Sequence, residues 1–184
     1  INHAGSAALS SVTGIPVVGP SPVPNPAKGR EDLPEELSDD QIHSIVRAFG
    51  RAALRVKAAG FDGVEIHSAH GYLLDQFLSP LSNNRTDGYG GKIESRIRIH
   101  LEVIRAVREA VGEAFPVLLR MGAVDGTKNG LCIEDARKAA VRFERAGVCL
   151  IDVSGGMCGY VLPGAAGPGY FAPYAAAVKK DVSV

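Results

Sequence analysis

Neither sign of charge predominates in this chain of 184 residues: 20 Lys and Arg stand against 20 Asp and Glu. The electrostatic footprint of a nucleic-acid or anionic-membrane binder is therefore missing, and no partner of either kind is expected. No apolar run approaches the ~20 residues of a membrane helix. The opening stretch INHAGSAALSSVTG lacks the basic start and sustained apolar core of a secretory signal. Cysteine is scarce as well: Cys132, Cys149 and Cys158 are odd in number, widely spaced and free of any CxxC pattern. Neither a disulfide framework nor a zinc ribbon fits that pattern, and a reducing cytoplasm is the simplest expected location. What is present is an ordinary globular composition, 46% hydrophobic and 22% charged, which excludes wholesale disorder.

The first 37 residues carry Pro16, Pro20, Pro22, Pro24, Pro26 and Pro34 among glycines, so no long helix is expected there. Ser38 with Gln41 three residues on reads as a capping box, and Asp39 and Asp40 suit the positive end of a helix dipole. Ile42, Ile45, Val46, Phe49, Ala53 and Val56 then follow at helical spacing, with Gly60 placed to end the helix. Strands are expected at 63–67, 117–121 and 150–153, and helices at 94–110, 133–145 and around 174–180. A further apolar strand, Val182-Ser183-Val184, is expected to open at the end. Because the sequence starts at Ile1 and stops inside that strand, both ends are expected to lie within a longer polypeptide.

Alternation of strand and helix argues for a parallel sheet with right-handed crossovers. The strand starts at Val117, Leu150 and Val182 are 33 and 32 residues apart, a period that suits a (β/α) barrel. A doubly wound open sheet is the alternative that the pattern leaves open.

In both folds chemistry sits at the C-terminal ends of the strands, where this chain offers His67, His70 and Tyr72, then Arg120, then Ser154 with Gly155 and Gly156. A turn after His67, helped by Gly71, would let both imidazoles and the phenol face one pocket. Two neutral imidazoles can polarise one substrate oxygen, and a protonated tyrosine can act as an acid. The competing reading is that the histidines satisfy backbone groups and the tyrosine packs. Zinc on His67 and His70 is disfavoured, since no HExxH pattern or nearby acidic or cysteine ligand accompanies them. Arg120, behind three apolar residues, needs an anionic partner: a salt bridge at the strand end, or an electron-rich ring. The stretch 83–91 has neither GxGxxG nor a P-loop lysine, so Arg85 and Asp87 are expected to hold that loop together. The glycines at 155, 156, 159, 164, 167 and 169 mark a long mobile loop, read either as a lid or wall of the site or as a plain surface loop.

The run AGFDGVEIHSAHGYLL at 59–74, followed by QFLSP at 76–80 and Asn83-x-Arg85-Thr86-Asp87-x-Tyr89-Gly90-Gly91, strongly resembles the Old Yellow Enzyme family. His3-Ala4-Gly5, Leu119-Arg120 and Val153-Ser154-Gly155-Gly156 extend the likeness across the chain. The resemblance implies a (β/α)8 TIM barrel, of which residues 1–184 would be the central part of a single FMN-binding domain, about strands 3 to 7. It implies an FMN-dependent NAD(P)H oxidoreductase that passes hydride through the flavin to a small activated alkene. His67 and His70 match the pair that binds the substrate oxygen, Tyr72 the proton donor, and Arg120 the arginine beside the flavin; no metal is implied. Related readings are a dienoyl-CoA reductase-like or NADH-oxidase-like flavin barrel, or a non-catalytic truncated half-barrel that self-associates. A homo-oligomer is left open. Since barrels of this type bind phosphate after strands 7 and 8, these 184 residues by themselves are expected to hold FMN weakly or not at all.

Overall fold

The computed structural model of the chain describes residues 1–29 and 32–184. Among the described residues the proline-rich beginning forms a 3-10 turn at Gly5–Ala7, a single-turn helix α1 (Ser10–Thr13), and two parallel two-residue strands, β1 (Val18–Gly19) and β2 (Glu35–Glu36). Regular structure starts at α2 (Asp39–Ala58). Ser38 Oγ accepts from the Gln41 amide at 3.3 Å while the Ser38 amide donates to Gln41 Oε1 at 2.8 Å, closing the expected capping box. At the other end Gly60 has φ +83°, a left-handed terminator that a side chain would strain.

Three parallel strands follow in the order β3 (Val64–Ser68), β4 (Val117–Gly122), β5 (Leu150–Ser154). Between β3 and β4 run α3 (Leu73–Leu78), α4 (Ile93–Arg96) and α5 (Arg98–Val111). Helix α6 (Ile133–Arg145) connects β4 to β5, and α7 (Ala172–Lys179) follows β5. Strand alternation sorts the side chains. Val64, Ile66, Val117, Leu119 and Met121 are buried towards the helices, whereas Glu65, His67, Leu118, Arg120, Leu150 and Asp152 on the other face are not. Burial on one face is the one-sided helical cover of a barrel wall rather than the two-sided cover of a doubly wound sheet. Helix α2 crosses α5 closely because Gly50 is bare: a Cβ there would stand 2.9 Å from the Ala106 carbonyl oxygen.

The N-terminal residues lengthen the sheet by a short segment. The Ile1 ammonium donates to the Glu65 carbonyl at 2.6 Å and the His67 amide to the Ile1 carbonyl at 3.0 Å, so this end lies beside β3. Three expectations are corrected. The helix expected at 94–110 is interrupted at Ile97, next to Arg96, whose buried guanidinium reaches inward to the Leu78 carbonyl and to Asp135. Helix α3 was not anticipated. The expected strand at 182–184 is not formed among the described residues, where the Ser183 and Val184 amides donate to Glu144 Oε1.

Candidate active site

The register of the sheet sets the site. His67 stands opposite Arg120 on β4, and Arg120 opposite Asp152 on β5, so the three side chains form one row on the face away from the helices. Parallel pairing without a slip is what keeps them on one side.

Beyond Ser68 the chain turns sharply. His70 has φ +60° and Gly71 φ +72°, two consecutive left-handed residues, the first of them rare for a side chain with a Cβ. The turn is held from all sides. The His70 amide donates to the Gly155 carbonyl at 3.1 Å and the Gly71 amide to Asp75 Oδ2 at 2.7 Å. The Gly71 carbonyl accepts from Asn25 Nδ2 at 2.8 Å and Gln76 Nε2 at 2.7 Å. A Cβ on Gly71 would overlap Ala27, so the glycine is required for space as well as conformation.

This turn brings the sequence-predicted residues together. The ring centroids of His67 and His70 are 5.2 Å apart, and those of His67 and Tyr72 also 5.2 Å. His70 Nε2 lies 2.7 Å from Ser154 Oγ at the end of β5, and Tyr160 of the following loop meets the His70 ring edge-on at 6.2 Å. The Lys28 ammonium sits 4.4 Å over the Tyr72 ring. Burial first, then the Arg120 charge, holds both His67 and His70 below the ordinary histidine range, His70 at about 4. Both imidazoles are therefore neutral at pH 7, each with one N–H to donate.

Arg120 faces Asp152, with Nε 3.3 Å from Oδ2. The Nε–H is nonetheless buried without a hydrogen-bond partner among the described residues. An electron-rich ring above the row would satisfy the remaining guanidinium donors, so Arg120 fits a flavin. Elsewhere the expectations hold: Arg85 grips Asp87 through Nε and Nη2 and donates to the Pro20 and Leu37 carbonyls, fastening its loop. Ser154 was noted only as a strand end, and Asp75, Asn25 and Gln76 were not singled out. The available signal was Asp75-Gln76 inside LLDQFL, a polar pair in a segment whose six residues are all buried. Among the described residues no group of three or more His, Cys, Asp or Glu could hold a metal. A cleft of about 460 Å³ between α5 and α6, lined by Arg105, Arg108, Arg142 and Arg145, contains none of these residues.

Neutral imidazoles, a phenol and an arginine are thus gathered at the C-terminal ends of parallel strands, the end at which barrel-type α/β enzymes carry their chemistry. The chain belongs to the NADH:flavin oxidoreductase / NADH oxidase family, whose sequence profile matches residues 1–158. That membership agrees with the likeness to Old Yellow Enzyme and makes FMN and NAD(P)H the cofactors. The chain is 42% identical over 185 residues to a metal reductase of Desulforamulus reducens, an alignment covering 99% of this chain and 27% of that protein. It is 41% identical over 170 residues to an NADPH dehydrogenase of a Geobacillus species, covering 91% of this chain and 48% of the relative. A solved 2-naphthoyl-CoA reductase complexed with 2-naphthoyl-CoA superposes with a TM-score of 0.87 at 29% identity, over 98% of this chain and 30% of that one. The chain thus spans between about a quarter and a half of the length of these relatives.

Proposed function

We propose that residues 1–184 are the central part of one FMN-binding (β/α)8 barrel domain whose protein reduces a small activated alkene, with NAD(P)H as the electron source. The observation that carries this reading is the convergence of His67, His70 and Tyr72, the His70 and Tyr72 ring centroids each 5.2 Å from that of His67, beside the Arg120 row.

The roles follow from the side chains. His67 and His70 donate N–H groups to the carbonyl oxygen of the substrate, and these bonds strengthen as negative charge grows there, which lowers the barrier. FMN, held beside Arg120, would supply the two-electron chemistry between NAD(P)H and the alkene. Tyr72 gives its phenolic proton to the α-carbon, so that one hydride and one proton complete the reduction. Arg120 opposes negative charge on the reduced ring. Ser154 and Tyr160 fix the His70 ring and wall the site. A reducing cytoplasm suits the three free thiols.

Y72F separates the two halves of the cycle. Stopped-flow reduction of the flavin by NAD(P)H is expected to proceed at nearly the wild-type rate, while reoxidation by an enone slows by roughly 10²-fold or more. Equal slowing of both halves would refute the role given to Tyr72. A second reading, a flavin barrel acting on a CoA thioester or another electron acceptor, is favoured by the likeness to the 2-naphthoyl-CoA reductase and the metal reductase. Turnover of an aryl- or enoyl-CoA far above that of a simple enone would select it.

A further inference from the structure

Beneath the site turn lie two buried carboxyl groups that the proposed reaction does not use. Asp75, in the first turn of α3, is fully buried. Its Oδ2 accepts from the Gly71 amide, but its Oδ1 has no hydrogen-bond partner among the described residues. That oxygen points to the place where β4 and β5 end. A Cβ on Gly122 would come 2.7 Å from it, and a Cβ on Gly156 3.2 Å. Asp125, also buried, reaches the same place from the loop after β4, and its Oδ1 would overlap a Cβ on Gly156. Asp125 is well supplied with donors: Met157 N–H at 2.7 Å on Oδ1, and Ser79 O–H and Leu131 N–H, each at 2.6 Å, on Oδ2.

A second negative charge facing the same buried point is costly, and the cost falls on the carboxyl with fewer donors, Asp75. We propose that Asp75 holds a proton on Oδ1, directed towards the Asp125 carboxylate, and so acts as a neutral clamp that positions His70 and Tyr72. A neutral Asp75 both accepts, from the Gly71 amide, and donates, to Asp125. It thereby ties the His70–Gly71 turn to the loop after β4, and through Met157 to the loop after β5. Those loops adjoin the strands that bear Arg120 and Ser154. Burial first, and then the Asp125 charge, drives the Asp75 carboxyl well above the ordinary range. The other titratable groups bearing on it are Lys28, which opposes that rise, and the Cys158 thiol, itself pushed up to about 11 by burial and the two carboxyls. The positioning role rests on the reading of His70 and Tyr72 given above; the proton does not.

The test uses the full-length, flavin-loaded protein. An infrared difference spectrum between wild type and D75N at pH 7 is expected to show the carbonyl stretch of a protonated carboxyl, lost in the variant. In D125N the same band is expected to vanish at lower pH than in wild type, since the neighbouring charge is gone. Absence of the band, or indifference of its titration to D125N, would overturn the shared-proton arrangement. In kinetics D75N is expected to stay within about three-fold of wild type, because an amide reproduces both the acceptor and the donor, whereas D75A loses about ten-fold or more in enone-driven reoxidation. Equal losses in D75N and D75A would overturn the clamp. Should D75A fail to fold, the infrared comparison and D75N still decide. If the wild-type protein reduces no enone, the functional reading fails while the infrared result stands.

Discussion

At the scale of single residues, the site depends on groups that touch the reactive ones from behind. Ser154 Oγ, 2.7 Å from His70 Nε2, is one of them. S154A removes about one net hydrogen bond, worth roughly 1 kcal/mol, and is expected to lower kcat/KM for the enone several-fold with little change in melting temperature; an unchanged kcat/KM would mean that Ser154 does not orient His70. Asp75 gives a pH signature of its own. An unfolded chain ionises this carboxyl near 3.9, whereas the fold retains its proton. Stability attributable to Asp75 is therefore fully present below about 4 and is lost as pH rises towards the folded titration. His70 and buried His100, held at about 4 and about 3, have the opposite sign: their contribution is present above the unfolded histidine value of ~6.5 and is lost as pH falls. The difference in unfolding free energy between D75N and wild type, followed by urea titration from pH 5 to 8, isolates the Asp75 component and is expected to shift in favour of D75N as pH rises. His67, His70 and Tyr72 were legible in the sequence because they lie at or just beyond the end of β3, and Arg120 because it is a charged residue within the apolar strand β4. Asp75 and Asp125 were not: they are 50 positions apart, and only the fold shows that they face the same glycine.

At the scale of elements, local chemistry decided most of the outcome. Helix α2 announces itself by its cap, its stripe and its glycine stop. S38A is expected to cost about 1 kcal/mol, read as a lower urea midpoint at constant slope; no change would show that the first turn is held by tertiary contacts instead. Helix α3 carries no such signal. All six residues of LLDQFL are buried, so there is no polar face and no periodic contrast to read. The one-residue interruption at Ile97 was equally silent: no proline or glycine marks it, and helical hydrogen bonds from Ile97 to Ile93 and from Leu101 to Ile97 run on through it.

At the scale of the whole molecule, the parallel sheet was legible from the alternation of strand and helix; the 33-residue spacing holds from Val117 to Leu150, and the one-sided burial agrees with a barrel wall. The face bearing the His67 row is open in these 184 residues, with Leu150 46% exposed at its edge. Produced alone, this chain is expected to carry less than stoichiometric FMN, measured as visible absorbance against protein concentration; a full complement would mean that the phosphate is held by residues within 1–184.

The His67, Arg120 and Asp152 row has one more consequence. A strand that pairs one position out of register sends a histidine or an arginine into the apolar layer and an isoleucine or leucine into the solvent face. Such a chain loses its whole reactive face together with its core, so errors of assembly yield an inert protein rather than a promiscuous one. The hydrogen-bond ladder that makes the sheet thus also holds this row together, while Tyr160 meets the His70 ring from the loop beyond β5.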